Sequence, residues 1–365
     1  VRRYAAILLS RQPLRPTRQC RWVVAAEEAV RWSIQHRYGL SGSIGLQTWE
    51  LLLTLAVQNQ ARLKLYLPAE TAGQFDRMVA STVADFDLRP DETRFVRVPL
   101  GRDKRVGMRS RDEAIAGEAD LLLPVSIRSS GGMDRLLRTA AQDGRKVVDR
   151  RFQIARPDRA PGLKEDYSCL SVSDRITRPR DCLVHWTRAV SHRWPGERPI
   201  DFYRDILASN EWPRSGLATL KRIVATGRIR AGSRHLSSNV AAVSFSSLPP
   251  AEVVPLMRWR ARYREMSLEP YGIGISRSIA ERVGIRAVSY LDDVSRVTAE
   301  DRWWHQSTGR KTDWRTEHEY RHRGDFDLNR IPPNAITIYC RNEREATRLR
   351  ERFPYNVLPL FNNAD

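Results

Sequence analysis

Over the first 155 residues, short apolar runs alternate with amphipathic stretches. Residues 61–68, 95–100, 120–125 and 146–149 are strand-length and rich in Leu and Val. Residues 48–60, 72–84, 109–117 and 133–143 place apolar side chains at helical spacing. Strands that alternate with helices and read as continuous apolar runs predict a parallel, doubly wound α/β sheet, buried on both faces. Residues 156–180 break the pattern with Pro157, Pro161, Gly162 and Pro179, and read as a linker. Beyond it, residues 182–186, 242–245, 272–276, 287–290 and 335–339 read as short strands. Residues 200–208, 216–226, 250–265 and 343–352 read as helices. This second pattern is α+β in character. The expected organisation is a basic segment 1–20, an α/β domain 21–155, a linker 156–180 and a mixed domain 181–365.

Charge changes this picture less than its size suggests. The chain has 365 residues and a net charge of +19, and only six of its 62 basic residues are Lys. A basic excess points to nucleic acid or another polyanion. A strong preference for Arg over Lys also arises from genome composition alone. The excess divides almost evenly, +10 over residues 1–160 and +9 over 161–365, while residues 1–21 hold six Arg and no acid. The four cysteines, Cys20, Cys169, Cys182 and Cys340, show no C-x-x-C spacing, which argues against a zinc ribbon or redox dithiol and fits reduced thiols in a cytoplasmic protein. The apolar stretch 49–57 is interrupted by Glu50 and Thr54 and is too short to span a bilayer. No secretory signal is expected.

Two constellations carry candidate chemistry. In the first, Gly39-Leu40-Ser41-Gly42-Ser43-Ile44-Gly45 precedes a helix, Arg109-x-Arg111-Asp112 opens another, and Ser129-Ser130-Gly131-Gly132 follows the strand 120–125. Glycine turns at helix N-termini offer free N–H groups and a positive dipole end, which suit phosphate. Their order, over residues 35–155, resembles the SLOG superfamily with its DprA-like and LOG-like members. The resemblance implies a Rossmann-like domain binding a nucleotide or nucleotide-derived signal, through Ser41, Gly42, Gly45, Arg109, Arg111, Ser130, Gly131 and Gly132. The P-G-G-x-G-T-x-x-E loop of that superfamily's phosphoribohydrolases is absent, which implies a sensor or scaffold.

The second constellation runs His185-Trp186-Thr187, Ser244-Phe245-Ser246, Met257-Arg258-Trp259-x-x-x-Tyr263, Tyr271-Gly272-Ile273-Gly274-Ile275 and Trp314-x-x-Glu317-His318-Glu319-Tyr320-Arg321. Alternation along a strand would send Glu317 and Glu319 to one face with His318 on the other, and would pair Ser244 with Ser246. A carboxylate held in place can stabilise positive charge that develops on a ligand. The ordered set resembles the ADP-ribosyltransferase fold, in particular bacterial abortive-infection families. That resemblance implies NAD as substrate, Glu319 on the ribose with Glu317 as its partner, and His185 on an adenosine-ribose hydroxyl. It implies Ser244 and Ser246 as braces, and Tyr263 or Tyr271 stacked on nicotinamide.

Metal chemistry is a poor rival. His305, His318 and His322 lie close in sequence, and His318 and His322 would sit four apart on a helix, but no H-E-x-x-H pattern accompanies them. The expectation is an antiphage-type bacterial effector, with a nucleotide-sensing domain and an NAD-dependent ADP-ribosyltransferase or NAD-glycohydrolase domain. DNA or RNA is a further candidate partner, and self-assembly into a homo-oligomer is compatible. The alternative is a non-enzymatic nucleotide- or nucleic-acid-binding module with a degenerate transferase fold.

Overall fold

The structure is a computed structural model. It describes residues 3–100, 104–144, 151–155, 165–176, 181–233, 236, 240–261, 265–298, 300–308 and 314–362. The chain forms two compact units, Val1–Gly162 with Ser191–Pro213, and Leu163–Val190 with Arg214–Asp365.

The first unit alternates β1 (Tyr4–Leu9), α1 (Arg21–Gln35), β2 (Gly39–Gly42), α2 (Gln47–Gln58), β3 (Leu63–Pro68), α3 (Ala72–Phe86), β4 (Thr93–Val98), α4 (Lys104–Glu118), β5 (Leu121–Ser126) and α5 (Gly132–Gln142). Its five strands lie in the order β4-β3-β2-β1-β5, and every pairing is parallel. β1, β3 and β5 are buried at every position, which is why they carry long apolar side chains without alternation. Lys64 interrupts the β3 run. Its ammonium donates to Glu118 at 2.6 Å, and the Tyr66 hydroxyl donates to the same carboxylate at 2.9 Å. The Lys64 contact holds the Glu118 carboxyl below its ordinary value.

Three expectations need correction in this unit. The basic segment 1–20 is no appendage, because β1 pairs on both sides within the sheet. Gly39 and Gly42 belong to strand β2, because Leu40 and Ser41 are buried there. The helix expected at 109–117 starts at Lys104. The expected strand 146–149 lies outside the described residues.

The division at residue 181 also changes. Helix α6 (Pro199–Ala208) buries Ile200, Phe202, Tyr203 and Ile206 in the core of the first unit. The described part of the expected linker is core of the second unit, since Tyr167 and Ile176 are buried there and Val172 bridges Phe361.

After β6 (Cys182–Thr187), the second unit continues with α7 (Gly216–Thr226), β7 (Arg228–Ile229), β8 (Ala242–Ser246), α8 (Pro250–Val253), β9 (Trp259–Arg260), β10 (Glu265–Met266) and β11 (Tyr271–Ser276). It ends with α9 (Arg277–Arg282), β12 (Arg286–Ala287), β13 (Ser289–Leu291), β14 (His305–Ser307), β15 (Glu319–Arg323), β16 (Phe326–Asp327), β17 (Ile336–Cys340), α10 (Glu343–Arg350) and β18 (Asn356–Pro359). Seven strands form a sheet in the order β12-β15-β8-β6-β11-β17-β18, antiparallel except for β17 with β18.

The glycines of β11 make room on one face of this sheet. A Cβ on Gly272 would stand 2.9 Å from both Trp186 and Val184, and one on Gly274 would stand 3.0 Å from Tyr339. Trp186 and Tyr339 occupy that space, with ring centroids 5.8 Å apart.

The helix expected over 250–265 stops at Val253. Pro255 cannot continue it, and a 3-10 turn and the β9–β10 pair follow. The expected strand 287–290 is divided between β12 and β13. Among the described residues no helix is long and apolar enough to cross a membrane.

Candidate functional site

In the first unit, acidic side chains of two helices bond back to the glycine turns that precede them. Gly45, with φ of 85°, precedes α2, and its N–H donates to Glu50 Oε1 at 2.9 Å. The Tyr203 hydroxyl donates to Glu50 Oε2 at 2.8 Å, and burial pushes the Tyr203 hydroxyl well above its ordinary range. Glu50 thus ties the turn before α2 to the first turn of its own helix.

The same holds at α5. The Ser130 N–H donates to Asp134 Oδ2 at 2.9 Å, Gly131 is the N-cap and Gly132 begins the helix. Beside Ser41 and Gly42 there is a void of about 20 Å³, enough for about one water. Ser41 Oγ is buried there without a partner.

Arg109 is exposed on α4, whereas Arg111 is fully buried. The Arg111 guanidinium donates twice to Asp112 Oδ1, at 2.9 and 2.7 Å, and once to the Ile44 carbonyl at 3.2 Å. Burial pushes the Asp112 carboxyl above its ordinary value against the pull of Arg111. Arg111 thus braces the loop before α2 from within the fold.

The second unit does bring its candidates together. In the β8–β15 register, Ser246 faces Glu319 and Ser244 faces Arg321, so these four side chains share one face of the sheet. Ser244 Oγ donates to Glu319 Oε1 at 2.7 Å. Arg321 grips the same carboxylate with two parallel bonds of 2.8 Å, Nε to Oε1 and Nη2 to Oε2. Ser246 Oγ accepts from the Leu248 N–H at 3.2 Å, tying down the turn after β8.

β6 meets β8 at a single register position, Val184 opposite Ser246. By alternation His185 belongs to the opposite face from Val184. Next to that last pairing, however, its ring reaches the Ser244 carbonyl, with Nδ1 at 2.8 Å. A carbonyl only accepts, so Nδ1 carries the proton and Nε2 of the neutral ring is an acceptor. Burial holds the His185 pKa below its ordinary 6.5, against the opposing effect of this hydrogen bond.

His185, Ser244, Ser246 and Glu319 line one cavity of about 540 Å³, the size of a small-molecule or cofactor site. Sequence reading missed its cationic wall of Arg188, Arg258, Arg260 and Arg321. It also missed Gln306 and Ser267, which complete the polar lining. Arg188 is held in place by the carbonyls of Met266 and Ser267, each at 3.2 Å, and by Glu265 at 3.2 Å. The Trp186 indole N–H, on the same wall, is buried without a partner. Trp186, Arg258 and Arg321 stood in the quoted motifs without a role, whereas Arg260 and Ser267 come from the β9–β10 region, read in part as helix, and Gln306 from the segment before β15.

Of the remaining candidates, the structure places Tyr271 elsewhere. Glu317 ends the 3-10 turn Trp314–Glu317, and β15 begins only at Glu319, so the two acids do not alternate on one strand. His318 between them takes φ of 46°, which breaks the extended geometry that the pairing required. The Glu317 side chain lies outside what the structure describes. His318 and His322 likewise share no helix, since His322 belongs to β15. Tyr271 does not line the cavity. It packs in the core with Ile273 and Ile275, and its hydroxyl donates to Glu345 at 3.2 Å. Tyr263 lies outside the described residues.

No family model, curated protein or solved structure matches this chain.

Proposed function

We propose that the second unit cleaves the nicotinamide–ribose bond of NAD, as an ADP-ribosyltransferase-like enzyme or NAD glycohydrolase, in the cavity beside Glu319. The observation that carries this reading is the linkage of three residues from three strands. His185 bonds to the Ser244 carbonyl, and Ser244 Oγ bonds to Glu319, all at the wall of one cavity.

Each group has a role that its hydrogen bonding allows. Glu319 already accepts two bonds on Oε1 and one on Oε2. A carboxylate has about four lone-pair sites, so Oε2 can accept one more hydrogen bond, from a ribose hydroxyl. Its negative charge then lies where positive charge develops as the glycosidic bond breaks. His185 Nε2 can accept from a second hydroxyl. The arginine wall suits a diphosphate, with Arg321 paired to Glu319 and Arg188 to Glu265 beside Arg258 and Arg260.

The wider reading, a bacterial antiphage-type effector whose first unit senses a nucleotide signal, rests on the resemblances in the sequence. In the two glycine turns, the N–H groups of Gly45 and Ser130 already bond to Glu50 and Asp134.

The test is nicotinamide release from NAD by the full chain, with and without DNA or RNA. The expected result is turnover that falls about 100- to 1,000-fold in Glu319→Gln, the loss typical of removing a charge-stabilising group. Equal turnover in the two proteins would rule out Glu319 as the catalytic carboxylate.

A further inference from the structure

Arg321 is 3% exposed, and its side chain makes more than an ion pair. Besides the two bonds to Glu319, Nη1 donates to the Trp303 carbonyl at 3.0 Å and Nη2 to Gln306 Oε1 at 2.9 Å. Four of the five guanidinium N–H bonds are thereby used, in one plane and on fixed partners. Two of those partners lie in the segment before β15, the 3-10 turn Arg302–Trp304 and strand β14. The guanidinium is anchored on one side and presents its fork to the carboxylate on the other.

We infer that Arg321 is a positioning residue for Glu319, fixing the plane of its carboxylate so that a single acceptor site, on Oε2, is left for the ligand. Ser244 and Arg321 Nε together saturate Oε1. Rotation of the carboxylate would break three hydrogen bonds at once, inside a wall where unpaired charge is costly. A Lys at this position would keep the charge and lose the planar fork. The role of the positioned carboxylate rests on the proposed NAD reaction, whereas the fork itself does not.

Two measurements on the full chain separate the two claims. In the ligand-free protein, the Arg321 Nε–H should give a ¹H–¹⁵N signal protected from exchange with water, and the signal should shift in Glu319→Gln. An Nε–H that exchanges as an exposed arginine does would overturn the inference whatever the turnover. In NAD turnover, Arg321→Lys should lower kcat about 100-fold, the loss typical of a misplaced reacting group, with KM changed less than about threefold. In a Glu319→Gln background the same substitution should add nearly nothing, because Arg321 acts through that carboxylate. A loss of equal size in both backgrounds, or a loss confined to KM, would overturn the positioning role. A protected Nε–H in a wild-type protein that does not cleave NAD would sustain the fork and remove the proposed reaction.

Discussion

At the scale of the residue, His185 links site chemistry to stability. Its folded pKa lies below 6.5, so the unfolded chain binds a proton there more readily than the folded one. Stability therefore falls as pH drops below 6.5 and is unaffected by this group above it. His185→Gln should flatten the decline in melting temperature between pH 7 and pH 5. An unchanged decline would place the pH sensitivity elsewhere. Ser244→Ala removes one donor from a carboxylate that keeps both bonds to Arg321. It should cost about 0.5–1.5 kcal/mol in denaturant unfolding and reduce NAD turnover less than Glu319→Gln does. His185 and Ser244 were legible in the sequence because apolar neighbours mark their strands, whereas Ser246 and Glu319 stood out only through the order of motifs, since β15 reads Glu-Tyr-Arg-His-Arg. Glu317 was misread because one residue of positive φ, His318, ends the alternation, and no pattern of apolar positions records a backbone angle.

At the scale of the element, the glycines of β11 shape the wall of the cavity. Gly272→Ala pushes a methyl group against Trp186 and Val184, both of which line it. The substitution should destabilise the chain by about 1–3 kcal/mol, measured by urea unfolding, the usual cost of overpacking a filled core. A neutral effect would mean that the Trp186 ring yields easily. The N-terminus of α2 makes a separate prediction. Glu50→Ala leaves the Gly45 N–H and the Tyr203 hydroxyl without their acceptor and should cost about 1–3 kcal/mol. Inorganic phosphate should raise the melting temperature of that variant more than that of the wild type. Equal shifts would show that Glu50 does not occupy an anion site. Strands β3 to β5 were legible as apolar runs of strand length. β1 and β2 were not. β1 follows a basic start and is mixed with Ala, and β2 is four residues bounded by glycines, which in isolation read as a turn.

At the scale of the whole molecule, the chain leaves its first unit, enters the second, and returns once before finishing there. That return carries α6, whose Ile200, Phe202 and Ile206 complete the first core. A fragment of residues 1–162 should therefore expose apolar surface and bind a hydrophobic dye, and co-expression with residues 191–213 should suppress the dye signal. A well-folded 1–162 fragment would contradict the assignment of α6. The sequence could not disclose the return, because one amphipathic helix reads the same whichever core it covers. The positive charge, too, becomes local at this scale. Three arginines of the cavity wall, beyond the one that holds Glu319, match a ligand with phosphates. The most direct measurement is a crystal structure of the full chain with a non-cleavable NAD analogue. The account predicts a ribose hydroxyl within hydrogen-bond distance of Glu319 Oε2 and the diphosphate against Arg188, Arg258 and Arg260. An analogue bound away from Glu319, or an empty cavity at saturating analogue, would contradict it.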